Sequence, residues 1–387
     1  MAANPATGSV VGMTLDRAAV AALPKVLLHD HLDGGLRPAT VVELAAEVGH
    51  TLPVDGAEAL AEWFWTAANG GSLETYLETF DHTLAVMQTA DGLRRVAREA
   101  AIDLAADGVV HAEVRYAPEL HLAGGLDLQG VVDAVQDGFA EGVALAASHG
   151  QTIRIGTILT AMRQNDHWER TARLALENRD RGVVAVDLAG PEDGFPATRH
   201  PEAFRALREA SFPVTIHAGE GAGLDSIAGA LHGAFALRLG HGVRIVDDVD
   251  VDVERDEVRL GRLAHWVRDQ QVVLEVCPSS NVQTGLVESV AEHPVTLLRD
   301  LGFAVTVSTD NRLQSRTSLS RELSLLVEEA GWTLDDVRAV TLDAAWNIFC
   351  HHDERTRLVE DVILPAYDAA ARTAGAGTTH PTPEELP

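Results

Sequence analysis

The chain has one lysine in 387 residues, Lys25, and two cysteines, Cys277 and Cys350. Two cysteines make no disulfide framework, and their scarcity fits a reducing compartment. Positive charge is short as a class: 30 Lys and Arg stand against 58 Asp and Glu, a formal net charge of −28. That excess keeps a surface solvated and repels phosphate backbones and anionic lipid, so neither nucleic acid nor membrane is expected as a partner. No apolar run approaches the roughly 20 residues of a bilayer span. Residues 1–23 lack the basic start and apolar run of a signal peptide, so the expected compartment is the cytoplasm.

Hydrophobic residues make up 46% of the chain, and their spacing carries the fold. Short β-branched runs recur at 26–31, 109–116, 153–161, 183–188, 213–217, 236–241, 272–276 and 304–309. Amphipathic stretches rich in Ala and Leu separate them, as at 91–107, 128–149, 168–181 and 201–210. Near-continuous apolar strands alternating with helices imply a parallel sheet buried on both faces, and eight such units imply a closed (β/α)8 barrel of the TIM type. The expected organisation is an N-terminal extension over 1–22, one barrel domain over 23–366 and a disordered tail over 367–387. After the first strand, 37–80 is too long for a crossover and carries Trp63, Phe64, Trp65, Leu73, Tyr76, Leu77 and Phe80. It reads as a helical pair packed on the barrel. The inserted helical region, about 37–90, would serve as an apolar cap that excludes water. The acidic stretch 247–257 reads as a surface loop.

Polar residues gather at the ends of these runs. His29 and His31 close the first, and alternate residues of a strand face the same way, so both imidazoles point into the barrel together. His217 closes the fifth run with Glu220 just beyond it; His241 closes the sixth; Asp310 follows the eighth. A barrel gathers its strand C-termini into one rim. Three imidazoles and a carboxylate there form a borderline-soft donor set suited to zinc. Lys25 opens the first strand and so lies near the opposite rim. No lysine is placed to bridge a second ion as a carbamate, and one zinc per chain is expected. His111-Ala-Glu113 matches half of a different zinc signature, H-x-E followed by P-C-x-x-C. The two cysteines are too far apart to supply the other half, so His111 is expected to be structural.

His29-Asp-His31-Leu-Asp33-Gly34, Asp187-Leu-Ala-Gly190, His217-Ala-Gly-Glu220, Leu239-Gly-His241-Gly, Cys277-Pro-Ser-Ser280 and Ser308-Thr-Asp310-Asn311 follow one another from about residue 24 to 349. As a set they resemble the adenosine deaminases of the amidohydrolase superfamily, in their bacterial branch. The resemblance implies zinc on His29, His31, His217 and Asp310, and hydrolytic deamination of adenosine and 2′-deoxyadenosine to the inosine products and ammonia. Another 6-aminopurine nucleoside, such as aminofutalosine or a modified adenosine, is the alternative substrate.

The resemblance also implies roles. Glu220 protonates purine N1. His241 takes a proton from the attacking water or stabilises the hydroxide, and Asp310 also accepts from that water. His31 lies beside the substrate as well as on the metal. The Gly190 N–H meets N3, Asp33 holds the ribose 5′-hydroxyl, and Asp187 and Glu275 orient His241 or the metal ligands. Many family members carry a second aspartate where this chain has Asn311, at the N7 contact. Asparagine donates through a neutral amide without needing to be protonated. Gln314 and Arg316 stand where they could alter purine or sugar contacts.

Overall fold

The computed structural model describes residues 15–376 apart from 253 and 256. Strands β1 (Lys25–His31), β2 (Val109–Tyr116), β3 (Arg154–Met162) and β4 (Val183–Ala189) pair in parallel, in that order. Then come β5 (Thr215–Ala218), β6 (Arg238–His241), a separate antiparallel hairpin of β7 (Val249–Asp252) and β8 (Glu257–Leu260), and β9 (Val273–Val276) and β10 (Val305–Val307). The second parallel sheet runs β10-β9-β6-β5. Single bridges at Asp30↔Asp310 and Val186↔Val214 join the two halves. At the first seam His31 N–H donates to Asp310 O at 2.8 Å and Asp310 N–H to His29 O at 3.0 Å. The result is the eight-stranded parallel barrel that the apolar runs imply.

The seam sets the chemistry. It fixes the end of β1 against the chain leaving β10, so His29, His31 and Asp310 are neighbours before any side chain is considered. Asp30, fully buried, ties the seam from outside the site: its Oδ1 accepts from Thr309 Oγ1 at 2.8 Å and from Arg312 Nε at 2.9 Å.

Three boundaries differ from the sequence reading. The region after β1 holds four helices rather than a pair: α2 (Pro38–Val48), α3 (Ala57–Ala68), α4 (Leu73–Glu78) and α5 (Phe80–Val86), numbered after α1 (Arg17–Ala22). Breaker residues divide it. Gly49 ends α2 at φ +72°, and Ser72 starts α4 by accepting from Thr75 N–H. The acidic stretch at 249–260 is the β7–β8 hairpin, not a plain loop. Val and Asp alternate through β7, a strand period, and Asp248 closes its base by accepting from Gly261 N–H at 2.6 Å and Ala264 N–H at 2.8 Å. The helix Leu364–Ala376 crosses the expected tail boundary at 367. Tyr367 anchors it, fully buried and 2.9 Å from Thr341 Oγ1 through its hydroxyl. Residues 377–387 and 1–14, the rest of the expected tail and extension, lie outside the described residues.

Lys25 is at the far end from the seam, as its place at the start of β1 requires. Its buried Nζ donates to the carbonyls of Val20, Ala21 and Leu23 at 2.7–3.1 Å, closing the last turn of α1. Burial lowers its pKa to about 8, against the pull of Asp107. No helix among the described residues is long and apolar enough to cross a membrane.

Candidate metal centre and active site

β1 turns His29 and His31 inward, β5 presents His217, and the chain leaving β10 presents Asp310. His31 Nε2 lies 3.3 Å from His29 Nε2 and 3.2 Å from His217 Nε2. Asp310 Oδ1 lies 3.2 Å from His29 Nε2 and 3.4 Å from His31 Nε2. Donor atoms placed tetrahedrally at zinc bond lengths would stand about 3.3–3.4 Å apart. The protonation pattern fits the same cation. His29 Nδ1 pairs with Glu275 Oε2 at 3.1 Å and His217 Nδ1 with Asp187 Oδ1 at 3.0 Å. With each Nδ1 held by a carboxylate, the Nε2 atoms of both rings turn toward the same point as Asp310 Oδ1, where a shared cation would find all of them as donors. Among the described residues this is the one such group of His, Cys, Asp and Glu.

Behind these side chains lies a buried ionic layer. Arg115, fully buried, donates to Glu275 Oε2 at 2.7 Å and stands 3.5 Å from Asp187 Oδ1. Arg238 Nε reaches Glu275 Oε1 at 2.7 Å, and Thr215 Oγ1 donates to the same oxygen at 3.2 Å. The carboxylates that aim His29 and His217 are therefore themselves held, so neither ring can turn without unpairing a buried charge. Ser280 Oγ donates to Asp310 Oδ2 at 2.6 Å, leaving Oδ1 for the centre. Asp310 and His241 both sit at positive φ, +56° and +61°, unusual for non-glycine residues and typical of sites where packing fixes a side chain's aim.

Glu220 follows β5 on a turn fixed by another carboxylate. Glu192 accepts from the N–H groups of Gly219, Glu220 and Gly221 at 3.1, 2.9 and 3.1 Å. Glu220 Oε2 lies 3.3 Å from His241 Nε2. Burial, then the charges of Asp310 and Glu192, push the Glu220 carboxyl well above its ordinary range. Burial also pushes Asp310 up, but the hydrogen bond and charge of His29, with His31 and His241, outweigh it and hold Asp310 well below. The two neighbouring carboxyls are thus pushed apart, Glu220 toward the neutral acid and Asp310 toward the anion. Glu192→Ala should strip three charge-assisted bonds from this turn and lower stability by about 3 kcal/mol. Thermal unfolding would check it, and an unchanged melting temperature would contradict the role.

Asp33 is buried 3.9 Å from His31 Nδ1; its Oδ1 has no protein partner, and burial lifts its pKa to about 7. Asn311 is buried, with Oδ1 also unpartnered. It fits only because residue 34 is glycine, where a Cβ would come within 1.9 Å of Asn311 Oδ1. Gly190 follows β4 at φ +102°, a conformation that favours glycine. Asp187 and Glu275 pair with His217 and His29 rather than with His241. Gln314 is fully buried with neither amide atom bonded, whereas Arg316 pairs with Glu62 of the cap at 2.8 Å. His111 lines a cavity of about 1290 Å³ at the other mouth of the barrel, where burial lowers its pKa to about 4. Glu113 binds Arg238 and the Phe349 N–H, so the H-x-E pair is structural.

The cap reaches the rim. Gly71 N–H donates to Gln283 O at 3.1 Å, and the buried Tyr76 hydroxyl lies 3.4 Å from Ser315 Oγ. A cleft of about 450 Å³ runs from Ser72 and Leu73 of the cap to Glu220 and Thr284. Glu192, Asn281 and Arg115 were not singled out by the sequence reading, and Ser280 appeared there only as part of a motif, without a role. Arg115 carried a signal, a charge inside a buried strand; Glu192 carried none.

A closed barrel that gathers three imidazoles and a carboxylate at one rim, around a point fit for a divalent cation, belongs among the amidohydrolase barrels. Residues 24–365 match the family described as adenosine deaminase. The chain is 55% identical over 367 residues to adenosine deaminase 1 of Streptomyces coelicolor, covering 95% of this chain and 92% of that one. It is 54% identical over 354 residues to an adenosine deaminase of Mycobacteroides abscessus, covering 91% and 98%. Among solved structures, an amidohydrolase from Burkhoderia ambifaria with bound zinc superposes with a TM-score of 0.80 at 25% identity, covering 95% and 97%. The chain belongs to the adenosine deaminase family.

Proposed function

We propose that this chain is a zinc-dependent hydrolase that converts adenosine and 2′-deoxyadenosine, with water, to inosine and 2′-deoxyinosine plus ammonia. The observation that carries the reading is the buried Glu220 carboxyl 3.3 Å from His241, beside three imidazoles and Asp310. One zinc held by His29, His31, His217 and Asp310 Oδ1 would supply the Lewis acidity that makes water nucleophilic near neutral pH.

The chain's own groups do the rest. Glu220 delivers a proton to purine N1 as water adds to C6, so charge pushed into the ring is quenched where it arises. His241 and Asp310 bracket the incoming oxygen. Asp310 accepts one proton of the water and passes it to the amino group, which leaves the tetrahedral carbon as ammonia; the remaining hydroxyl proton returns to Glu220 as the 6-keto purine forms. Asn311 presents an amide to N7, the Gly190 N–H meets N3, and the unpaired buried oxygen of Asp33 accepts from the ribose 5′-hydroxyl. The cap closes over the nucleoside and excludes bulk water. The two free cysteines fit work in the cytoplasm.

Asp33 also sets the limit of the pocket, because an acidic residue at the 5′ position repels a 5′-phosphate. Ammonia release measured side by side on adenosine, 2′-deoxyadenosine, a 5′-modified adenosine and adenosine 5′-monophosphate tests the reading. The two neutral nucleosides should be turned over at least about 100-fold faster than the monophosphate, a difference of about 2.7 kcal/mol. Zinc-loaded protein that leaves both untouched while deaminating the 5′-modified compound would move the assignment to another 6-aminopurine nucleoside.

A further inference from the structure

Behind His241, on the side away from the metal ligands, the structure holds a chain of hydrogen bonds whose directions can be read. Val295 opens the helix Val295–Asp300, and its N–H donates to His293 Nδ1 at 3.1 Å. A backbone N–H can only donate, so His293 Nδ1 is the acceptor and the proton of the neutral ring is on Nε2. His293 is buried, which lowers its pKa to about 3 and keeps it neutral. Its Nε2 lies 3.1 Å from Asn281 Oδ1, and Cys277 N–H donates to that same oxygen at 3.2 Å. Two donors fix which end of the Asn281 amide is oxygen, without appeal to any flip assignment. The other end, Nδ2, lies 3.1 Å from His241 Nδ1. An amide nitrogen only donates, so His241 Nδ1 accepts.

We propose that Asn281, oriented by His293, is a positioning residue that locks His241 in the tautomer with its proton on Nε2. The proposal deepens the deaminase reading and rests on it, since it concerns the same site. Its consequence is chemical. The neutral ring shows the pocket an N–H and no lone pair, so His241 acts on the incoming oxygen as a hydrogen-bond donor rather than as the base that takes its proton. The same N–H faces Glu220 Oε2 at 3.3 Å. That oxygen then accepts, and the acid proton of Glu220 belongs on Oε1, free for purine N1. Of the two roles open to His241 in the sequence, the relay selects the stabilising one.

Asn281→Asp keeps the shape and reverses the polarity. A carboxylate cannot donate to His241 Nδ1, so that nitrogen must take up a proton. Selective 15N-histidine NMR on the zinc-loaded protein without substrate, with His241 assigned by its loss in His241→Asn, reads the state directly. The wild type should show an unprotonated Nδ1 and a protonated Nε2, and Asn281→Asp a protonated Nδ1. Zinc content should be unchanged and KM should move less than about threefold. The kcat should fall by about 10²–10⁴-fold, the scale on which a wrong tautomer damages a catalytic imidazole. His293→Leu should blur the tautomer, and His293→Gln should restore it, since glutamine also offers an acceptor to Val295 and a donor to Asn281. A wild-type His241 protonated on Nδ1 would overturn the proposal. So would an Asn281→Asp protein that loses kcat with the His241 signal unmoved, which would mark a merely structural role. Inactivity on adenosine with the expected spectra would instead strike at the substrate assignment alone.

Discussion

Glu220→Gln is expected to lower kcat on adenosine by about 10²–10⁴-fold, the usual contribution of a positioned general acid. Glutamine matches the size of the neutral carboxyl and can still donate to N1, but it cannot give up a proton there. KM should therefore change little, zinc content should stay at wild type, and the far-UV spectrum should be unaltered. The three N–H groups held by Glu192 fix the backbone of this turn independently of the Glu220 side chain. A variant that retained the wild-type rate would remove Glu220 from the chemistry. One that lost zinc along with activity would show that its carboxyl supports the centre rather than the substrate.

Removing a proposed ligand should act in the opposite sense. His217→Ala takes away one of four donors and leaves Asp187 facing Arg115 without its imidazole. Losing even an outer partner of a metal ligand commonly costs 10–100-fold in affinity, so loss of the ligand itself should cost more than about 100-fold. The wild-type protein should gain thermal stability as zinc is added, because a ligand that binds only the folded state raises its melting temperature by mass action. His217→Ala should show little of that response at the same zinc concentration. Equal responses in the two proteins would mean that His217 is not a ligand.

The barrel and its rim were legible because two independent patterns agreed. Apolar runs marked the strands, and a polar residue broke each of four runs at its C-terminal end. What the pattern could not show was any partner brought from elsewhere in the chain. Glu192 has no periodic context, yet it holds the turn that carries Glu220. Asp187 and Glu275 were legible as supports, but their partners are His217 and His29. That choice depends on which inward-facing layer each strand contributes, and one-residue differences in register decide it. The hairpin at 249–260 was hidden by its acidity, and the last helix by its small residues, although Tyr367 shows where it docks. Lys25 was read as remote from the metal site because it stands at the start of a strand, and His111 was set aside because the chain has no C-x-x-C to complete its signature.

All of this chemistry depends on His29, His31, His217 and Asp310 sharing one ion at the C-terminal rim. Anomalous diffraction at the zinc edge from crystals of the purified protein tests it most directly. One strong peak is expected within about 2.0–2.2 Å of three Nε2 atoms and of Asp310 Oδ1. A peak elsewhere, or none at that point in protein that deaminates adenosine, would contradict it.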